Sequence, residues 1–160
     1  MTVASAGWMK MNNKVFNTVF EISMRLLLVL SLSKKKKLTL DNLVTVDFIS
    51  NYSKEFGLSG SNLHGDNEFS FSEFSIRRAL VQDAIKQLVL ENMIKVSYSK
   101  EGFIYSITER GRIFSNSLTS DYATEYRLHA QKALEYIDSK NEKELLNLIS
   151  REASKSLRKE

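Results

Sequence analysis

Residues Met93–Phe114 read MIKVSYSKEGFIYSITERGRIF, and this stretch decides the fold. Two short runs that alternate apolar and polar residues flank the turn Ser99-Lys100-Glu101-Gly102, which predicts a β-hairpin. The alternating apolar residues that would share one face of the hairpin are Ile94, Val96, Tyr98, Phe103, Tyr105 and Ile107. Thr108 follows as the N-cap of a short helix, so the hairpin lies between helical segments.

Working outward from the hairpin, apolar residues at helical spacing predict six helices. They span approximately residues 12–33, 39–57, 72–93, 108–118, 120–138 and 142–159. Three helices followed by a two-stranded wing make a winged helix-turn-helix, so the predicted fold is mostly α, with an α-helical C-terminal extension. We expect a flexible arm over residues 1–11, a winged-helix domain over 12–118, and the extension over 119–160.

The composition is that of an ordinary globular chain. Of its 160 residues, 42% are hydrophobic and 26% are charged, and the formal net charge is +4. This length suits one domain with a real hydrophobic core. The mild excess of cations permits contact with nucleic acid or with acidic proteins and requires neither. The chain has no cysteine, which excludes disulfides and cysteine-ligated zinc and suits a cytoplasmic protein.

One apolar segment, Val15–Leu32, raises the question of membrane insertion. Glu21 and Arg25 interrupt it, and its longest unbroken apolar run is Leu26–Leu30. A membrane-spanning helix needs about 20 predominantly apolar residues. We therefore expect no membrane partner, and a helix that is covered by its own domain or by another protein.

Motifs that carry catalysis are missing from the sequence. There is no GxxxxGK[ST] or GxGxxG phosphate-binding stretch and no nucleophile-elbow serine. His64 has Asp66 and Glu68 nearby, but three candidate ligands within one loop are weak grounds for a metal site, and a plain turn is favoured. The sequence predicts a protein that is not an enzyme and has no cofactor, no catalytic residue and no metal.

The third predicted helix, Ser72–Met93, is the one that would read DNA in a winged helix. Its core stripe comprises Phe74, Leu80, Val81, Ala84, Ile85 and Leu88, and its outward face comprises Ser72, Ser75, Ala79, Gln82, Asp83 and Lys86. Its cations and anions balance, which removes most of the electrostatic attraction to phosphates and disfavours groove reading. Candidate nucleic-acid contacts lie elsewhere, at Lys34, Lys35, Lys36 and Lys37 after the first helix and at Lys95 and Lys100 in the wing. A solvated turn is the alternative for the four consecutive lysines.

Arg77 is unusual because it lies on the core stripe of this helix. An arginine in such a position is usually structural, with its stem packed and its head bonded to a carboxylate or to a helix end. The alternative is that Arg77 reaches past the helix to a carboxylate or phosphate of a partner, which bidentate geometry suits.

Several segments together resemble a known family. In chain order they are LDNLVTVDFISNYSKEFG, SNLHG, SIRRALVQDAIKQLVLENMI with the pair Arg77-Arg78, EGFIYSIT, and SLTSDYATEYRLHAQKAL. On these motifs the chain resembles the small middle component (type two) of bacterial ABC-three-component systems, which include the Lamassu anti-phage defence systems. The resemblance covers approximately residues 15–137, and it leaves Lys34–Lys37 and the helix after Asn141 without a counterpart.

The resemblance implies a non-catalytic, kleisin-like adaptor that bridges an SMC-like ABC ATPase and an effector nuclease. The partner-binding residues that we predict are Phe16, Phe20, Leu27, Arg77, Arg78, Leu145 and Ile149. For the apolar ones the alternative is burial within the chain's own core. A winged-helix DNA-binding transcription regulator is the alternative function. Contact with double-stranded DNA inside the assembled complex is a third hypothesis.

Overall fold

The computed structural model describes residues 18–34, 37–54, 56–60, 63, 71–141, 143–147 and 150–151. Its helices are α1 (Val19–Leu32), α2 (Leu40–Asn51), α3 (Phe71–Leu90), α4 (Glu109–Asn116) and α5 (Asp121–Asp138). Its strands are β1 (Leu38–Thr39), β2 (Ile94–Ser99) and β3 (Gly102–Ile107). Residues 143–147 and 150–151 are helical as well. The described chain is therefore mostly α-helical with a small antiparallel sheet, as the sequence predicted at that level.

Two helix ends differ from their predicted positions by more than one helical turn. Helix α1 begins at Val19, and not at residue 12 or 13, because the Thr18 side chain accepts a hydrogen bond from the Glu21 N–H and caps the helix. Helix α2 ends at Asn51, and the predicted end at Gly57 is wrong. Gly57 has a φ of +70° and lies instead in a separate turn, in which the Leu58 N–H donates to the Ser53 carbonyl.

Helix α3 has the buried and exposed faces that its sequence predicted. Among its described side chains, Val81, Ala84, Ile85 and Leu88 are buried, and Ala79, Gln82, Asp83 and Lys86 are exposed. The helix ends at Leu90, slightly before the predicted Met93. Asn92 adopts a left-handed φ of 59°, and the Met93 N–H donates back to the Leu88 carbonyl, which stops the helix.

The hairpin forms in the predicted register, and a third strand joins it. Tyr98 pairs with Phe103, and the turn closes between Ser99 and Gly102. The short strand β1 adds to the other side of β3 through the pair Leu38 and Tyr105, so the strand order is β1-β3-β2. The sequence pattern predicted only the two strands of the hairpin, because the two residues of β1 are too few to show an alternating pattern.

Helix α4 lies against the base of the hairpin. Its residue Gly111 lies so near to the turn after α3 that a Cβ at this position would be 2.1 Å from the Met93 carbonyl oxygen. Thr108 caps α4 as predicted, accepting a hydrogen bond from the Gly111 N–H. A side-chain hydrogen bond from Ser115 to Ser31, 3.1 Å long, then ties α4 to α1.

The core collects side chains from both ends of the chain. Helices α1, α2 and α3 contribute its centre, and α5 adds Tyr126, Ala130, Ala133, Leu134 and Ile137 to the same cluster. Ser120 caps α5, and Asn141 caps the helical residues 143–147 by accepting a hydrogen bond from the Glu144 N–H. No helix in the described ranges combines the length and the apolar character that crossing a membrane requires.

Candidate docking surface

A buried carboxylate joins four helices at the centre of the molecule. Asp47 of α2 is fully buried, and its two oxygens accept hydrogen bonds from Arg25 of α1 at 2.8 and 3.2 Å. They also accept one from Arg77 of α3 at 2.8 Å and one from the Tyr126 hydroxyl of α5 at 2.7 Å. The four side chains are each almost completely shielded from solvent, so this cluster fixes the relative positions of the helices.

The protonation states of the cluster follow from this geometry. Burial alone would raise the pKa of the Asp47 carboxyl, but the adjacent Arg25 and Arg77 guanidiniums outweigh it and hold that pKa well below its ordinary value. Burial, reinforced by the Asp47 charge, raises the pKa of the Tyr126 hydroxyl. Asp47 is therefore ionised and Tyr126 is neutral, which makes the carboxylate an acceptor for all three of its partners.

The neighbouring arginines of α3, Arg77 and Arg78, point to different places. Arg77 is 3% exposed, and its guanidinium also lies 5.8 Å from the centre of the Phe48 ring. This is the packed, carboxylate-bonded arrangement that the sequence favoured for it. Arg78 is on the surface, where it forms an ion pair with Asp41 at the start of α2. Arg78 is thus the member of the pair that solvent or a partner can reach.

Asp47 and Arg25 were not predicted to form a site, although the sequence carries a signal for their pairing. Asp47 follows Leu43 by four residues and Val44 by three, so it lies on the buried face of α2. Arg25 directly precedes Leu26–Leu30, the longest apolar run of α1. A charge on the apolar face of each of two helices indicates a buried ion pair, because neither charge is stable there alone.

A second buried polar contact ties the end of α2 to α5. The Ser53 Oγ and the His129 Nδ1 lie 2.7 Å apart, with Ser53 1% exposed and His129 7% exposed. Burial lowers the pKa of the His129 imidazole. Because both groups are shielded from solvent, the contact serves the packing of the two helices, and the sequence offered no signal that would join them.

The hairpin carries an apolar face that starts in the core and continues into solvent. Ile94 is buried, but further along the same face Val96 is 45% exposed and Tyr98 is 79% exposed. Phe103, opposite Tyr98 on β3, is 60% exposed, and the two rings meet edge to face with their centres 5.6 Å apart. We call Val96, Tyr98 and Phe103 the wing patch. Apolar side chains that cluster in solvent in this way are typical of a protein-binding surface.

The predicted partner-binding residues fall into three groups. Phe20 is 57% exposed on α1 and, like Arg78, is accessible. Leu27 and Leu145 are buried inside the chain's own core, which is the alternative that the sequence left open for both, and Arg77 is buried as well. Phe16 and Ile149 lie outside the described residues. None of these residues belongs to the wing patch, which the sequence analysis placed in the hairpin without assigning it to a partner.

The candidate nucleic-acid contacts are distributed over two regions. Lys34 and Lys37 are exposed between α1 and β1, and Lys95 and Lys100 are exposed on the hairpin. Lys35 and Lys36 lie outside the described residues, as do His64, Asp66 and Glu68 of the loop considered as a metal site. In the part of the chain that the structure describes, no group of three acidic or histidine side chains is placed to hold a metal ion.

Comparison with protein families assigns the chain to a family. Residues 15–159, nearly the whole chain, match the family model described as ABC-three component (ABC-3C) system Middle Component 2. No curated protein and no solved structure matches the sequence. The match extends past the residues that carried the resemblance in sequence and includes the helical region after Asn141. The chain therefore belongs to the Middle Component 2 family of the ABC-three component systems.

Proposed function

We propose that this protein is a non-catalytic, kleisin-like adaptor that bridges an SMC-like ABC ATPase and an effector nuclease in a Lamassu-type anti-phage defence complex in the cytoplasm. Membership of a middle-component family implies protein partners. The observation that carries the adaptor role is the wing patch, in which a valine and two aromatic side chains project into solvent from a well-packed domain. Aromatic anchors of this kind dominate the binding energy of protein interfaces.

The support beneath the wing patch suits a docking function. The hairpin is tied to the domain by β1, which pairs with β3, and at its base by α4, whose Gly111 packs against the turn before β2. The Asp47 cluster in turn holds α1, α2, α3 and α5 together. A patch that is already fixed in position loses little conformational entropy when a partner binds, which favours affinity.

We interpret the fold as a winged helix. Three helices precede the hairpin, and a short strand lies directly before the second helix. Among the described side chains of α3, the outward face offers Lys86 against Asp83, and Arg78 is already paired with Asp41. Such a face provides little charge for binding phosphates. This supports the use of the winged helix for protein contact rather than for reading DNA.

Co-expression with the ABC ATPase and the effector of the same system tests the proposal. We expect the three chains to elute together on size exclusion, and the ATPase and effector to separate when this chain is omitted. The double variant Tyr98→Ser/Phe103→Ser should lose one of the two partners. Leu128→Ser, a matched control on α5 whose side chain is 62% exposed, should keep both. Elution of the wild-type chain apart from the ATPase contradicts the proposal.

The alternative, a DNA-binding transcription regulator, is supported by the exposed lysines at 34, 37, 95 and 100. It predicts that the isolated protein binds duplex DNA with a steep salt dependence, since each neutralised phosphate releases counterions. Fluorescence-anisotropy titrations that show no binding of duplex DNA at low salt would exclude the regulator.

Contact with DNA inside the complex is a separate hypothesis. Replacing Lys34–Lys37 by glutamine should then weaken DNA binding by the complex without affecting its assembly.

A further inference from the structure

The outer edge of strand β2 has free backbone groups. In the order β1-β3-β2, β2 has a neighbour on one side alone within the described residues. The Thr108 N–H donates to the Met93 carbonyl at 3.0 Å, which makes these two residues a hydrogen-bonded pair at the base of the hairpin. Bonded and non-bonded pairs alternate along an antiparallel ladder. The backbone groups of every second residue of β2 therefore form hydrogen bonds with β3, namely those of Lys95, Ser97 and Ser99. The residues between them, Val96 and Tyr98, direct their backbone N–H and C=O groups away from β3.

Strand β2 has one of the features that usually protect an exposed edge, the lysine Lys95, which lies on the face opposite to the wing patch. Natural sheets also block such edges with proline, with a β-bulge, with a charge on the inward face, or with a very short strand, and β2 has none of these. Strand β2 is six residues long, has no proline, and keeps an unbroken register with β3 from Ile94 to Ser99. The two residues whose backbone groups point outward, Val96 and Tyr98, also have the exposed apolar side chains of the wing patch. Backbone and side chains thus offer binding groups along the same edge.

The charges beside this edge indicate what kind of strand would fit it. Lys95 lies on the face of β2 opposite to the wing patch and is exposed. The turn has one exposed charge of each sign, Lys100 and Glu101, so Lys95 gives the edge its net charge. The edge strand itself, IKVSYS, has no acidic residue. A second copy of β2 would therefore bring another lysine to the edge and no carboxylate, whereas a strand from another protein can supply one.

We propose that an extended segment of a partner subunit adds to the outer edge of β2 as a fourth strand of the sheet. Apolar residues of that segment pack beside Val96 and Tyr98, and acidic residues on its other face lie beside Lys95. The main chain provides binding energy and the alternating side chains provide specificity, as in other cases of strand addition. This inference rests on the proposed adaptor function, because it specifies how the wing patch engages the partner.

Residue-resolved amide hydrogen exchange on the purified complex of this chain with the ABC ATPase and the effector tests the inference. In the free chain, the amides of Val96 and Tyr98 should exchange rapidly and that of Ser97 slowly, because Ser97 bonds to β3. In the complex we expect the Val96 and Tyr98 amides to exchange at least about tenfold more slowly, as amides do when they enter a hydrogen-bonded ladder. Unchanged exchange at both residues in a complex that forms overturns strand addition and leaves the adaptor function intact.

Two variants at one position separate backbone from side-chain recognition. Val96→Pro removes an N–H that points outward, and proline is tolerated on edge strands when its ladder bond is not needed. We expect it to weaken binding about tenfold more than Val96→Ala, which retains the N–H. Equal losses of binding affinity in the two variants overturn the proposed strand addition. A wild-type homodimer that dissociates on Val96→Pro substitution overturns it as well. If Val96→Pro does not fold, the exchange experiment on the wild-type complex decides. Failure of the wild-type chain to bind the ATPase or the effector overturns the adaptor function and this inference together.

Discussion

Replacing Asp47 by asparagine is the perturbation from which we expect the largest loss of stability. Asparagine keeps the shape of the side chain and removes its charge, so Arg25 and Arg77 remain buried without the carboxylate that they bond. The new amide NH2 group also faces donors, among them the Tyr126 hydroxyl. Removing one partner from a buried ion pair costs about 3–5 kcal/mol. A domain whose free energy of unfolding is about 5–15 kcal/mol would become marginally stable or unfold.

Urea denaturation followed by helical circular dichroism measures this effect. Asp41→Asn is the matched control, because it removes the same charge from an ion pair whose side chains are 47% and 44% exposed, with Arg78 as the partner. We expect the control to change the free energy of unfolding by about 0.5 kcal/mol or less. An Asp47→Asn protein that unfolds within about 0.5 kcal/mol of the wild type would show that the cluster does not stabilise the fold, and would refute this reasoning.

The same carboxylate has a consequence for the pH dependence of stability. Its pKa is lower in the folded chain than in the unfolded chain, so at low pH the unfolded chain binds more protons. The stabilisation from Asp47 is therefore fully present above about pH 4, the unfolded pKa, and is lost as the pH falls through the folded pKa. Acid titration of the free energy of unfolding should show this decline, and a flat profile below pH 4 would contradict it.

Two further predictions concern single residues. Gly111→Ala should lower the free energy of unfolding by at least about 2 kcal/mol, because the new Cβ meets the Met93 carbonyl, whereas Gly60→Ala, with open space around its Cβ position, should change it little. Equal melting temperatures for these two variants would contradict the close approach of α4. Burial lowers the pKa of His129, so its neutral form stabilises the fold above about pH 6.5, and stability should decline as the pH falls from there. Urea titrations of the wild type and His129→Gln should show a smaller decline in the variant, and identical slopes would exclude His129 as the cause.

Structural features that depend only on residues close to one another in the chain could be predicted from the sequence. The burial of Val81, Ala84 and Leu88 and the exposure of Gln82 and Asp83 follow from helical periodicity, which is a property of α3 alone. The pairing of Tyr98 with Phe103 follows from the alternating pattern and from the turn between them. These contacts join residues close in sequence, so the local pattern is sufficient to define them.

Contacts between distant segments could be predicted only in part. Arg77 was expected to bond a carboxylate, but its partner could have been any acidic residue or a helix end, and packing of α2 against α3 selected Asp47. Strand β1 has no pattern of its own and exists because Leu38 meets Tyr105 across the sheet. The turn at Gly57 was read as a helix end, because glycine in a left-handed conformation closes turns and helices alike.

The sequence by itself determined the class of each major element, the buried face of α3, the hairpin and the family. The tertiary structure decided which charges meet at Asp47. Within the described residues, it left Val96 and Tyr98 exposed on the edge strand β2, with Phe103 exposed beside them on β3. The physical reason is that periodicity records on which side of an element a residue lies. The neighbour that it meets there, or the solvent that it faces, depends on how separate elements pack.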